Sequence, residues 1–314
     1  MGPMQRSSIG SLVIVLLSLT VATAHAQDAA KGASLLAEAR KALGGDDTLR
    51  AAKALDMKAD FTRSAGQNTV EGELEIRLER PDKMRRDEDL TLPGGGPAII
   101  RTEVLNGAEV WDENSGGAGF GGFGGGGGGR RGFGGGGFGG GGLGGGRGRD
   151  QAAPPDGGQG GGRGIDPAQL KEFQRRTRQA DLARLSVMWL LDSDAPVAWV
   201  GAAESPDGKA DVLEITPAAG VPTRLFLDQE THMPLMLTWQ GAAAGGRRGR
   251  GGDQAAQQAP QPPTFQMTLG EYKPVNGVKL PHLITRGANG QTVEEWRVKS
   301  YRLNPSFKSG VFAK

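Results

Sequence analysis

The sequence predicts a mainly β protein, one large and strongly curved antiparallel sheet of about eleven or twelve strands joined by short reversals. Three observations predict it. Between Val70 and Arg80, apolar Val70, Leu74, Ile76 and Leu78 alternate with charged Glu71, Glu73, Glu75, Arg77 and Glu79, the period of two of a half-buried strand. Hairpin turn pairs recur at Asn106-Gly107, Asn276-Gly277 and Asn289-Gly290. Helical patterns do not alternate with the strands, which argues against a parallel α/β fold.

The elements follow in order. Residues 1–26 read as a secretory signal: Arg6 in the n-region, apolar Ile9 to Val21, then Ala24-His25-Ala26 before Gln27. That apolar run is short for a membrane anchor, so cleavage and a soluble periplasmic product are expected. Ala33 to Leu43 predicts a short helix stopped by Gly44-Gly45. Lys53 to Arg63 and Thr69 to Arg80 predict a hairpin, followed by a strand over Lys83 to Leu90. Ala98 to Leu105 and Glu109 to Asp112 flank the Asn106-Gly107 turn.

Asp166-Pro167 is an N-cap and N1 pair that starts a helix running to about Leu191. Leu170, Phe173, Leu182, Leu185 and Trp189 give it an apolar stripe, widened by Val187, Met188, Leu190 and Leu191. Strands resume over Val197–Glu204, Ala210–Thr216, Thr223–Asp228, Leu235–Gln240, Phe265–Tyr272, Val278–Arg286 and Thr292–Leu303.

Two low-complexity segments interrupt this single domain of residues 27–314. Gly116 to Gly164 holds more than half of the 55 glycines, with Phe and Arg interspersed, and Gly241 to Pro263 is a shorter Gly/Arg/Ala/Gln/Pro tract. Glycine loses the most entropy on ordering and brings no side chain to bury, so both are expected to be disordered loops.

The chemistry is narrow. With no cysteine, disulfides and thiol catalysis are excluded. A formal net charge of +2 gives no field for nucleic acid or an anionic membrane. The Gly-x-Gly-x-x-Gly matches are accidents of polyglycine, because no strand feeds a helix there. His232 lies in a turn beside Asp228 and Glu230, but without metal-ligand spacing, and His282 has no local partner. No Gly-x-Ser-x-Gly elbow occurs. No catalytic residue, metal site or cofactor is therefore assigned. The tryptophans Trp111, Trp189, Trp199, Trp239 and Trp296 read first as packing anchors.

Arg80 stands apart. By parity it points to the same side as Leu74, Ile76 and Leu78, and an arginine aimed at an apolar face is costly unless something receives it. This strand reads as one wall of a cavity.

A family resemblance joins these features. Leu78-Glu79-Arg80-Pro81, Asn106-Gly107-Ala108-Glu109-Val110-Trp111, Leu225 to Pro234, and Tyr272 with Gly277-Val278-Lys279-Leu280-Pro281, Leu303-Asn304 and Phe312 together resemble the LolA/LolB superfamily of periplasmic lipoprotein carriers. The resemblance implies an unclosed antiparallel half-barrel with helices over its concave face and an apolar cavity for acyl chains. It implies that Arg80, the match to the family's Arg-Pro arginine, latches the Asp166–Leu191 helix as a lid. Leu74, Ile76, Leu78 and Trp111, with Leu185, Met188 and Trp189 on the lid, would line the ligand site. Expected partners are a lipid or lipoprotein acyl chain and envelope membrane complexes. The alternative on the same fold is a regulatory binding module of envelope-stress, sigma-factor signalling.

Overall fold

The computed structural model describes residues 12–65, 68–91, 98–115, 166–191, 194–205, 208–217, 222–241 and 262–314, with backbone alone over 12–27. The expected leader residues before position 12 and nearly all of both glycine-rich tracts lie outside the described residues. The chain opens with helices α1 (Leu12–Leu43) and α2 (Asp46–Ala51). Strands β1 (Ala54–Ala65), β2 (Asn68–Glu79), β3 (Lys83–Thr91), β4 (Ile99–Asn106) and β5 (Glu109–Ser115) form a first meander. After helix α3 (Pro167–Met188) comes a second, of β6 (Val197–Ser205), β7 (Gly208–Ile215), β8 (Thr223–Asp228), β9 (Pro234–Gln240), β10 (Thr264–Val275), β11 (Val278–Ala288) and β12 (Gln291–Leu303).

These strands make one 12-stranded antiparallel sheet ordered β5-β4-β3-β2-β1-β12-β11-β10-β9-β8-β7-β6. Every pairing joins sequence neighbours except one. The two meanders meet where β1 pairs β12, from Leu55 opposite Leu303 to Arg63 opposite Glu294. Asn304 finishes this seam: its side-chain oxygen accepts from Lys53 N at 2.7 Å and its amide donates to Ala51 O at 3.0 Å. The sheet does not close, and β5 and β6 remain its edges.

Turn chemistry fixes the registers. Asn276-Gly277 and Asn289-Gly290 all have positive φ, the conformation of a type I′ hairpin turn, which fits the right-handed twist of its strands. The concave face carries the core, because inward residues on consecutive strands meet across register: Leu55 with Leu78, and Met57 with Ile76.

Two helical details differ from expectation. The first helix begins at Leu12 rather than Ala33, since its alanine- and leucine-rich sequence has no proline to break it. The six-residue α2 has too few residues to show a helical period, and only the acidic pair Asp46-Asp47 in its first turn hints at it. α1 packs on β6 at Gly32, where a Cβ would stand 2.8 Å from Trp199 N. Among the described residues, no helix is long and apolar enough to cross a membrane.

Candidate functional site

The inner face of the sheet is covered by α3. Asp166 caps it, accepting from Ala168 N at 3.0 Å ahead of Pro167. At the other end, Leu191 N donates back to Ser186 O at 2.9 Å while Leu190 adopts a left-handed φ of 50°. That reversal turns two neighbouring carbonyls outward from the helix, where cations are favoured by the helix dipole. Arg40 of α1 donates to Leu190 O, and Arg80, at the end of β2, donates to Leu191 O. Arg40 is itself buried and also bonds Asp46 of α2. Hydrogen bonds from Arg40 and Arg50 hold the Asp46 carboxyl below the usual carboxylate range.

Beneath this clamp the interface is apolar. Leu74, Ile76 and Leu78 on the sheet and Leu185, Met188 and Trp189 on the lid are all buried in one core. Trp189 meets Tyr301 edge-on, with ring centroids 6.2 Å apart. Two surface clefts border the sheet among the described residues. One of about 330 Å³ is lined by Lys58, Glu73, Leu74, Glu88, Asp89 and Lys299 among others. Another of about 230 Å³ lies by Thr62, Ser64 and Thr292.

Trp111 does not join the other predicted site residues. Its neighbours Val110 and Asp112 turn inward, so the period of two sends it to the opposite face, where Arg85 lies 5.8 Å from its ring. Leu170 and Phe173 likewise face outward, Phe173 at 66% exposure. The inward positions of that half of α3 are polar instead: Gln174 bonds Asp112, and Arg178 reaches Glu103 at 2.7 Å and Asp112 at 2.8 Å.

The second half of the lidded surface is thus a buried charge cluster that sequence reasoning missed. On β3, β1, β11 and β12, Arg86 binds Glu88 at 2.8 Å, Arg63 bridges Glu88 and Glu294, and Arg286 binds Glu294 at 2.8 Å. Trp296 lies between Arg86 and Arg286, 5.2 and 5.6 Å from its ring. From the lid, Arg184 binds Asp181 at 3.0 Å and packs 4.9 Å from the Trp239 ring. Arg101 completes the set on Glu103 at 2.6 Å.

Burial opposes every charge here, and the partners decide each outcome. It pushes Glu88 and Glu294 up, but the facing arginines outweigh it and hold both carboxyls below their ordinary range. At Asp181 burial wins: helped by Glu103, it lifts the carboxyl to about 6 against the pull of Arg184, Arg178 and Arg286. Parity from Met84 would have placed Arg86 and Glu88 inward, yet the five consecutive residues Arg85 to Asp89 are all charged, which masks the pattern.

Comparisons with known proteins supply likeness of shape. No protein-family model and no curated protein matches the chain. Among solved structures, an outer membrane lipoprotein-sorting protein domain from Vibrio parahaemolyticus is 11% identical, with a TM-score of 0.42 over 91% of this chain and 97% of that one. A LolA superfamily protein from Nitrosomonas europaea is 10% identical, with a TM-score of 0.44 over 90% and 96%. A DUF1329 family protein from Desulfovibrio piger is 9% identical, with a TM-score of 0.42 over 91% and 97%. Scores and identities this low carry no functional weight.

Chemically, the arrangement is a closed apolar seat with a charged flank. Among the described residues, no group of three or more His, Asp or Glu is placed to hold a metal ion.

Proposed function

We propose that this chain is a non-enzymatic periplasmic carrier that holds the acyl chain of a lipid or lipoprotein between the concave sheet and α3. The observation that carries the reading is the asymmetry of the lid. One end of α3 is clamped by Arg40 and Arg80, whereas the other is tied to β5 by exposed contacts such as Lys171–Glu109. Exposed ion pairs contribute little, so the first turns of α3, ahead of the buried Arg178 pairs, are the end that lifts. Opening gives access to the apolar core from the lifted end, and an acyl chain enters beside Leu74, Ile76 and Leu78 and packs against Leu185, Met188 and Trp189, which the clamp keeps in place. Each methylene buried returns about 0.8 kcal/mol, so a chain of roughly 16 carbons gains on the order of 10 kcal/mol before ordering costs. The signal-like residues 1–26 support export, and the partners would be envelope complexes that load and unload the ligand.

The test uses the absence of cysteine. Glu109→Cys and Lys171→Cys, introduced together, are joined by a short bis-thiosulfonate reagent that reductant cleaves. The linked protein is expected to take up no fluorescent fatty-acyl probe, and reduction restores uptake. Unchanged uptake in the linked form removes the lid from the mechanism. No uptake in any form, with no lipid extractable from the purified protein, overturns carriage.

A further inference from the structure

The charge cluster under α3 is incomplete in a way that specifies a ligand. Among the described residues, three N–H donors buried in it have no acceptor: Arg184 Nε, Arg178 Nε and Trp239 Nε1. Buried donors are almost always paired, because leaving one unmade forfeits its full hydration. Two of the three sit together, since the Arg184 guanidinium stacks 4.9 Å from the Trp239 ring. Charge points the same way. The six arginines of the cluster described above outnumber its five carboxylates, Glu88, Glu103, Asp112, Asp181 and Glu294. Asp181, the partner of Arg184, is also a carboxylate that burial raises above its ordinary range. An added cation would worsen the imbalance, and a neutral group would leave it. An anion with two acceptor oxygens satisfies both the donors and the excess charge.

Position ties this corner to the apolar seat. Arg184 and Met188 are four residues apart on one face of α3, a single helical turn. An amphiphile with its head at Arg184 therefore lays its tail along Leu185, Met188 and Trp189. Resting on the carrier reading, we infer that the Arg184–Trp239 corner receives the anionic head, a carboxylate or phosphate, of the carried amphiphile.

The experiment compares two ligands that share a tail, 1-oleoyl lysophosphatidic acid and 1-oleoyl glycerol, by calorimetry on the full mature chain, with inorganic phosphate as a third arm. The phosphate-headed lipid is expected to bind at least about tenfold more tightly than the neutral one, as charge-assisted hydrogen bonds imply. In Trp239→Phe, which keeps a ring but deletes the donor, and in Arg184→Gln, that ratio falls toward one, with near-ultraviolet dichroism confirming the fold. Phosphate alone should fail to compete; displacement of the lipid by it would reassign the corner to free anions and overturn the head-group assignment. Equal affinities for both lipids, or a ratio unmoved in both variants, overturn the head-group site while leaving carriage standing. Binding of neither lipid removes both.

Discussion

Asp181 shows how one side chain ties the lid to pH. Its carboxyl titrates near 3.8 when exposed and is raised to about 6 in the fold, so the folded chain holds the proton more tightly. Its contribution to stability is complete below the lower value and is lost as pH rises through about 6. The difference of about two units corresponds to about 3 kcal/mol. Asp181→Asn mimics the protonated form, so urea unfolding should show the variant gaining about 2 kcal/mol on the wild type between pH 4.5 and 7. Glu88 and Glu294, held low by arginine, act oppositely: their stabilisation is present above the ordinary carboxylate range and fades as pH falls. Placement was legible where a lone charge broke an apolar parity, as at Arg80, which reaches the Leu191 carbonyl. They were hidden where charge was dense, as at Arg86 and Glu88, because alternation cannot distinguish a solvated row from a paired one.

At the scale of elements, the C-terminal end of α3 is held through the turn that follows it. Pairing Leu190 and Leu191 carbonyls with Arg40 and Arg80 couples the lid to both α1 and β2. Removing one of these charged hydrogen bonds leaves a carbonyl unmet and costs about 1–3 kcal/mol. Arg40→Met should therefore speed hydrogen exchange through residues 182–191, read by mass spectrometry, with little change in β6 to β9. The start of this helix was written in Asp166-Pro167, and the strands were legible to within a few residues because turn signals bounded them. The outward path of Leu170 and Phe173 was not. A helical stripe records which side chains share a face, but here the facing strands supplied Glu103 and Asp112 and drew Arg178 inward instead.

For the whole molecule, the sheet is two meanders sewn along β1 and β12. Local reversals could be read from Asn-Gly pairs, whereas the long-range seam has no local signal and was not legible: a simple meander would have paired β5 with β6 instead. The second tract leaves from a closed hairpin: Gly241 N donates to Pro263 O at 2.7 Å, and Gln240 pairs Thr264. Replacing residues 242–261 with Asn-Gly should thus leave the fold intact. Thermal melting should show the midpoint unchanged or raised, since shortening the loop saves at most about 2 kcal/mol of closure entropy.

The seam also sets an order of events. Synthesis runs from the N-terminus, so β12 emerges after the other eleven strands of this sheet and pairs with the first of them. Until Gln291 to Asn304 arrive, β1 is a bare edge with unmet amides and the core beneath Leu55 and Met57 stays open. β12 therefore acts as a clasp: a chain cut before Gln291 cannot join the two meanders, however well each of the earlier hairpins has formed.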